Sequence, residues 1–116
     1  MRAAVLKGYG LPLEIVDDAP EPNSQTLGPH EVLVNVHAAG VNPAEYKIAR
    51  GDMSRFMSVK FPAVLGADFS GTIAQVGDLI TDFVPGDEVF GTLDVSEIVR
   101  PGNGGSYAEY ESRLRV

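Results

Sequence analysis

Three side chains equipped for polar chemistry fall in one short stretch: the amide of Asn42, the phenol of Tyr46 and the ammonium of Lys47. A carboxylate, Asp68, follows in the run Gly66-Ala67-Asp68. An ammonium can hold a hydroxyl or stabilise a developing oxyanion, and an amide or phenol can orient a polar ligand. Each also has a purely structural reading. Asn42 is a helix cap, Tyr46 a core aromatic with a wet hydroxyl, Lys47 a solvated helix lysine and Asp68 the cap of a turn before a strand. Other chemistries are narrowed by what is missing. With no Cys in the chain, disulfides, thiolate nucleophiles and four-cysteine metal sites are excluded. His30 lies in a Gly-Pro-His-Glu turn and His37 on a strand face, and neither has an i, i+4 partner or a carboxylate cluster nearby. No metal site is expected from them. Gly102-Asn103-Gly104-Gly105 is rich in glycine but lacks the apolar helix that a phosphate-cradling turn would feed.

The polar trio needs an element to hold it. Asn42-Pro43-Ala44-Glu45 joins a capping side chain, a proline fit for the first helical position and a glutamate at the third. Gly51 is placed to end the helix, which is expected at Pro43–Arg50. Two turns of helix are marginal alone in water, so packing must hold them, with Ile48 as anchor. Around this helix the chain reads as short strands separated by Gly, Pro and Asp turns, the rhythm of a barrel or sandwich. Strands are expected at residues 1–6, 13–16, 31–39, 69–76, 88–90 and 106–111. In the clearest of them Val32, Val34, Val36 and Ala38 alternate with Leu33, Asn35, His37 and Ala39. Residues 17–30, with Pro20, Pro22, Gly28 and Pro29, form a surface loop. Gly66, Gly71 and Gly77 mark positive φ or close backbone approach, and Gly91 and Gly105 flank loops.

A chain of 116 residues suits one compact domain spanning residues 1–116. Its 44% hydrophobic and 22% charged composition is that of a globular protein, not a disordered or fibrous one. The formal charge of −7, with scattered basic residues, opposes binding to nucleic acid or an anionic membrane. A small molecule or a protein is the expected partner. Lys7 and Gly8 interrupt the apolar start before a signal sequence can form, and no stretch is long enough to span a bilayer. The expected location is the cytoplasm.

Four ordered blocks carry a resemblance: Glu31-Val-Leu-Val-Asn-Val-His-Ala-Ala-Gly-Val-Asn-Pro43; Phe61-Pro-Ala-Val-Leu-Gly-Ala-Asp-Phe-Ser-Gly-Thr-Ile-Ala-Gln-Val-Gly77; Val84-Pro-Gly-Asp-Glu-Val-Phe-Gly91; and Gly104-Gly-Ser-Tyr-Ala-Glu-Tyr110. Together they resemble the GroES-like catalytic domain of medium-chain dehydrogenases/reductases, and they span nearly the whole chain. The resemblance implies a mainly β fold, a partly open barrel with one or two short helices. Zinc alcohol dehydrogenases of this family carry Cys in the block occupied here by Val41-Asn42-Pro43, and Gly-His-Glu where this chain has Gly66-Ala67-Asp68. With Asn42 and Ala67 in those places, the closer likeness is to zinc-independent quinone oxidoreductases and enoyl reductases.

That likeness implies NADPH as cofactor and reduction of quinones or activated C=C bonds. It implies cofactor contacts from Asn42, Tyr46 and Lys47, and catalytic roles for Lys47, Tyr46 and Asp68, with Lys47 as hydrogen-bond donor. The family's Rossmann domain has no counterpart in these residues, nor do the strands that follow it. The isolated chain is therefore expected to be incompetent for hydride transfer. A separate Rossmann-type chain or a homodimer covering the open sheet edge is the expected partner. A stand-alone role in non-redox small-molecule binding, cyclisation or isomerisation is the alternative. A co-chaperonin role is set aside, because residues 20–30 are proline-rich and polar rather than an apolar mobile loop. Substrate-lining loops are expected at residues 52–60 and 93–103.

Overall fold

In the computed structural model, which describes residues 1–22, 25, 27–98 and 104–115, turn residues divide the chain into short antiparallel strands. One sheet is formed by β1 (Ala3–Leu6), β2 (Glu14–Val16) and β4 (Ala63–Val64), in the order β2-β1-β4. The other contains β3 (Glu31–Ala39), β5 (Asp68–Val76), β6 (Glu88–Thr92) and β7 (Tyr110–Arg115), in the order β6-β5-β3-β7. Among the described residues two helices interrupt them, α1 (Pro43–Arg50) and α2 (Val95–Ile98). The mainly β expectation holds. Among the described residues no ladder closes the two sheets into a continuous barrel; an isolated bridge, Ala3 to Ala108, ties β1 to the segment entering β7. No helix among the described residues is long and apolar enough to cross a membrane.

The two central strands owe their length to β-branched and small residues. Val32 pairs with Val76, Val34 with Ile73 and Val36 with Gly71, and Val34 is fully buried. Gly71 is a close approach: a Cβ there would lie 2.0 Å from the Asn35 carbonyl oxygen. Gly77 is another, with a Cβ 2.1 Å from the Gly28 oxygen. Leu6, Ile48, Val59, Ala63, Leu65, Leu93 and Ile98 form the largest core cluster. Ile48 is 2% exposed, so α1 is anchored on the core as expected. Gly51 ends the helix in the left-handed region (φ 88°), where its N–H reaches the Ile48 carbonyl at 3.0 Å.

Several expectations are corrected. The strict alternation of β3 fails, since Val32, Leu33 and Val34 are all buried and the ladder slips at Leu33/Val34 and Val36/Ala38. Bulges rotate successive side chains out of the two-residue period. The last strand starts at Tyr110, not Ser106, because residues 106–107 are instead held by Gly66 and Leu65 backbone oxygens. The short β4 was not expected. Residues 93–98 are not an open loop but carry α2, with Leu93 and Ile98 buried in the main core. The parts of the expected loops at residues 17–30 and 93–103 that fall at 23, 24, 26 and 99–103 lie outside the described residues.

Candidate functional site

The site is built where α1 meets the start of β5. Asn42, in extended backbone (φ −124°, ψ 160°), is the N-cap, and Pro43 fills the first helical position. Glu45 then folds back: its Oε2 accepts the Asn42 N–H at 2.9 Å, the reach expected of a capping glutamate. Its Oε1 accepts the N–H of Ala67 at 3.0 Å. Glu45 is only 3% exposed, so one buried carboxylate satisfies two backbone donors from segments far apart in the chain. Its place at the start of α1 also suits the positive end of the helix.

Asp68 returns the connection in the other direction. The Asn42 side-chain nitrogen donates to its Oδ2 at 2.8 Å, and its main-chain oxygen accepts from the Gly40 N–H at 3.0 Å and from Ser106 Oγ at 2.8 Å. The Asn42 amide first, and then the hydroxyl of Thr92 directly across the β5–β6 ladder, hold the Asp68 carboxyl below its ordinary value, against a small opposing effect of burial. Ala67 offers only a methyl group, and the Asn42 amide is committed to Asp68. This donor set does not fit a catalytic zinc, which takes three His, Cys or carboxylate ligands. Among the described residues there is no group of three or more His, Cys, Asp or Glu side chains that could hold a metal ion.

The structure thus brings Asn42 and Asp68 together. Tyr46 and Lys47 stay apart from that pair. Tyr46 is 49% exposed on α1, which removes the core-aromatic reading, and the Arg50 guanidinium sits 5.1 Å from its ring centroid. Arg50 is itself hydrogen-bonded to Asp52. Lys47 is exposed; its main-chain oxygen accepts the Asp52 N–H at 3.0 Å, while its ammonium has no hydrogen bond or ion pair to another described residue. His37 lies on β3 against Thr72 (3.5 Å) and His30 in the turn before β3.

Two residues of the site were missed in the sequence. Glu45 was legible as a capping glutamate, but nothing local showed that it also reaches Ala67. Tyr107 was read only as part of a strand. Its ring lies against Gly66, where φ is +104° and a Cβ would stand 2.6 Å from the ring. Its hydroxyl is buried without a hydrogen-bond partner among the described residues. Burial, and then the negative charges of Glu45 and Asp68, push the Tyr107 hydroxyl above its ordinary pKa.

Comparison with known proteins gives the family of the fold. Residues 28–112 match the model of the alcohol dehydrogenase GroES-like domain. A trans-enoyl reductase of Aspergillus clavatus is 39% identical over 116 residues, covering 94% of this chain and 28% of that protein. The quinone oxidoreductase of Rattus norvegicus is 38% identical over 112 residues, covering 95% of this chain and 30% of that protein. Among solved structures, the quinone oxidoreductase from Coxiella burnetii superposes with a TM-score of 0.74 at 29% identity, covering 97% of this chain and 34% of that one. The chain therefore spans roughly 30% of the length of these curated relatives. With the family model matched over most of its residues and the fold matched throughout, this chain belongs to the alcohol dehydrogenase GroES-like domain family of the medium-chain dehydrogenases/reductases.

Proposed function

We propose that this chain is the substrate-side domain of an NADPH-dependent oxidoreductase that reduces quinones or activated C=C bonds without zinc. The observation that carries the reading is the hydrogen bond from the Asn42 amide to Asp68, which occupies the side chain at one of the two places, Asn42 and Ala67, where the resemblance puts the ligands of zinc relatives. Two relatives whose names are quinone oxidoreductase and trans-enoyl reductase support the reaction class. An amide, a phenol and an ammonium on or at the cap of one short helix suit the polar edge of a nicotinamide and its ribose. The sequence holds no glycine-rich turn between strand and helix for the pyrophosphate, so that part belongs to a separate domain or chain.

NADPH supplies the hydride when bound. The chain's own residues orient and stabilise. Asn42, fixed at the helix cap, contacts the nicotinamide side of the cleft. The exposed ammonium of Lys47 donates to a ribose hydroxyl or to the oxygen that gains charge as a quinone or enone is reduced. The exposed phenol of Tyr46 donates on the same helix. A donor ready at the charged oxygen substitutes for the Lewis acid of the zinc enzymes.

The test is NADPH oxidation with a quinone and with an enone, using the chain supplied with its cofactor-binding domain. Activity should survive a chelator, and Lys47→Ala should lower kcat/KM by about 100-fold to 1,000-fold, the value of one donor to a developing oxyanion. Failure to oxidise NADPH with either acceptor class, or loss of activity to the chelator, would overturn the reading.

A further inference from the structure

We propose that Asp68 is a positioning residue whose carboxylate sets the orientation of the Asn42 side-chain amide, and that Gly40 is the spacer that makes this possible. The inference rests on the reading of Asn42 as a cofactor contact and goes beyond it by naming what aims the amide.

Both ends of the pair are rigid before they meet. The Asn42 backbone is held by Glu45 Oε2 at 2.9 Å. The Asp68 backbone is held by two donors to one oxygen, Gly40 N at 3.0 Å and Ser106 Oγ at 2.8 Å. With both backbones pinned, the only freedom left at Asn42 is the rotation of its side chain, and an amide has two chemically opposite ends. A carboxylate accepts and cannot donate, so Oδ2 at 2.8 Å admits the nitrogen and repels the oxygen. The ionised state this requires is favoured first by the Asn42 amide itself and then by Thr92, which faces Asp68 across the ladder. An amide at residue 68, which can both donate and accept, would pair with either end of the Asn42 amide and weaken the preference that the carboxylate imposes.

Gly40 supplies the space. A Cβ at Gly40 would stand 2.9 Å from the Asp68 Cβ and 3.2 Å from its Oδ2. Contacts this short force a shift of the carboxylate relative to Asn42. A glycine at residue 40 is therefore matched to an aspartate at residue 68, and the two substitutions, one removing the charge and one displacing it, should give the same phenotype.

The experiment uses the 116-residue chain labelled with 15N and follows the side-chain amide protons of Asn42, with reduced nicotinamide mononucleotide as probe. In the parent chain one Nδ2 proton should be shifted by the carboxylate and protected from exchange with water. Asp68→Asn and Gly40→Ala should each move that signal toward the position of free asparagine side chains and raise its exchange on the order of tenfold, the equivalent of one lost hydrogen bond. Each should also weaken the probe's effect on the Asn42 resonance by about 3-fold to 10-fold, while backbone spectra stay folded. An Asn42 amide unchanged in Asp68→Asn would overturn the proposal. So would a changed amide with the probe's affinity intact, which would leave the pair a purely structural contact. A changed amide in a chain whose Asn42 never responds to the probe would uphold the positioning by Asp68 and overturn the cofactor reading beneath it.

Discussion

Glu45 offers the sharpest test of how the site is held. The parent carboxylate is 3% exposed and accepts two backbone N–H groups, from Asn42 at 2.9 Å and Ala67 at 3.0 Å. Glu45→Ala removes both acceptors at once. A buried donor left unsatisfied costs about 1–3 kcal/mol, and both groups are only partly buried, so about 1.5 kcal/mol each is the fitting value. The sum is about 3 kcal/mol, or a fall of about 12 °C in Tm at about 4 °C per kcal/mol for a domain of this size. Glu45→Gln keeps one acceptor oxygen and turns an amide donor toward the other N–H, so it should cost about half as much, roughly 1.5 kcal/mol. Urea and thermal unfolding followed by circular dichroism would measure both, and amide exchange at Ala67 and Asn42 would locate the loss. A Glu45→Ala chain within about 0.5 kcal/mol of the parent would refute the reasoning, because that is the range of a surface substitution. Equal losses in the Ala and Gln variants would place the effect in the charge of Glu45 rather than in its two acceptor positions.

Tyr107→Phe removes a buried hydroxyl that has no partner among the described residues, and should stabilise the fold by about 1 kcal/mol; a loss of stability would mean that the hydroxyl is satisfied. The same variant tests the alkaline limb. The folded chain raises the Tyr107 pKa, so its contribution is complete below the unfolded value of about 10 and is lost as pH rises through the folded one. Unfolding titrations should accordingly show stability falling less steeply above about pH 10 in Tyr107→Phe than in the parent, and identical limbs would count against the assignment. Gly71→Ala should prevent folding or cost at least about 4 kcal/mol, since its Cβ would stand 2.0 Å from the Asn35 oxygen on the neighbouring strand; a folded variant with a near-parental Tm would show that β3 and β5 can part there.

The sequence alone determined the elements whose causes are local. The Asn42-Pro43-Ala44-Glu45 start and the Gly51 stop define α1 because capping is settled within one turn of chain, and the structure returns the same bounds. Val and Ile spacing announced β3 and most of β5 for the same reason. The family blocks also gave Asn42 and Asp68 as places of interest. What only the tertiary structure decided is which of these groups touch. Asn42 and Asp68 lie 26 residues apart and Glu45 and Ala67 lie 22 apart, and those contacts exist only because α1 is seated beside the entry to β5. The bulges in β3, the shift of the last strand to Tyr110 and the helix at Val95–Ile98 were likewise settled by distant backbone partners and by burial of Leu93 and Ile98. Local pattern carries no information about such partners, because hydrogen-bond closure and core burial depend on chain segments that meet only after folding.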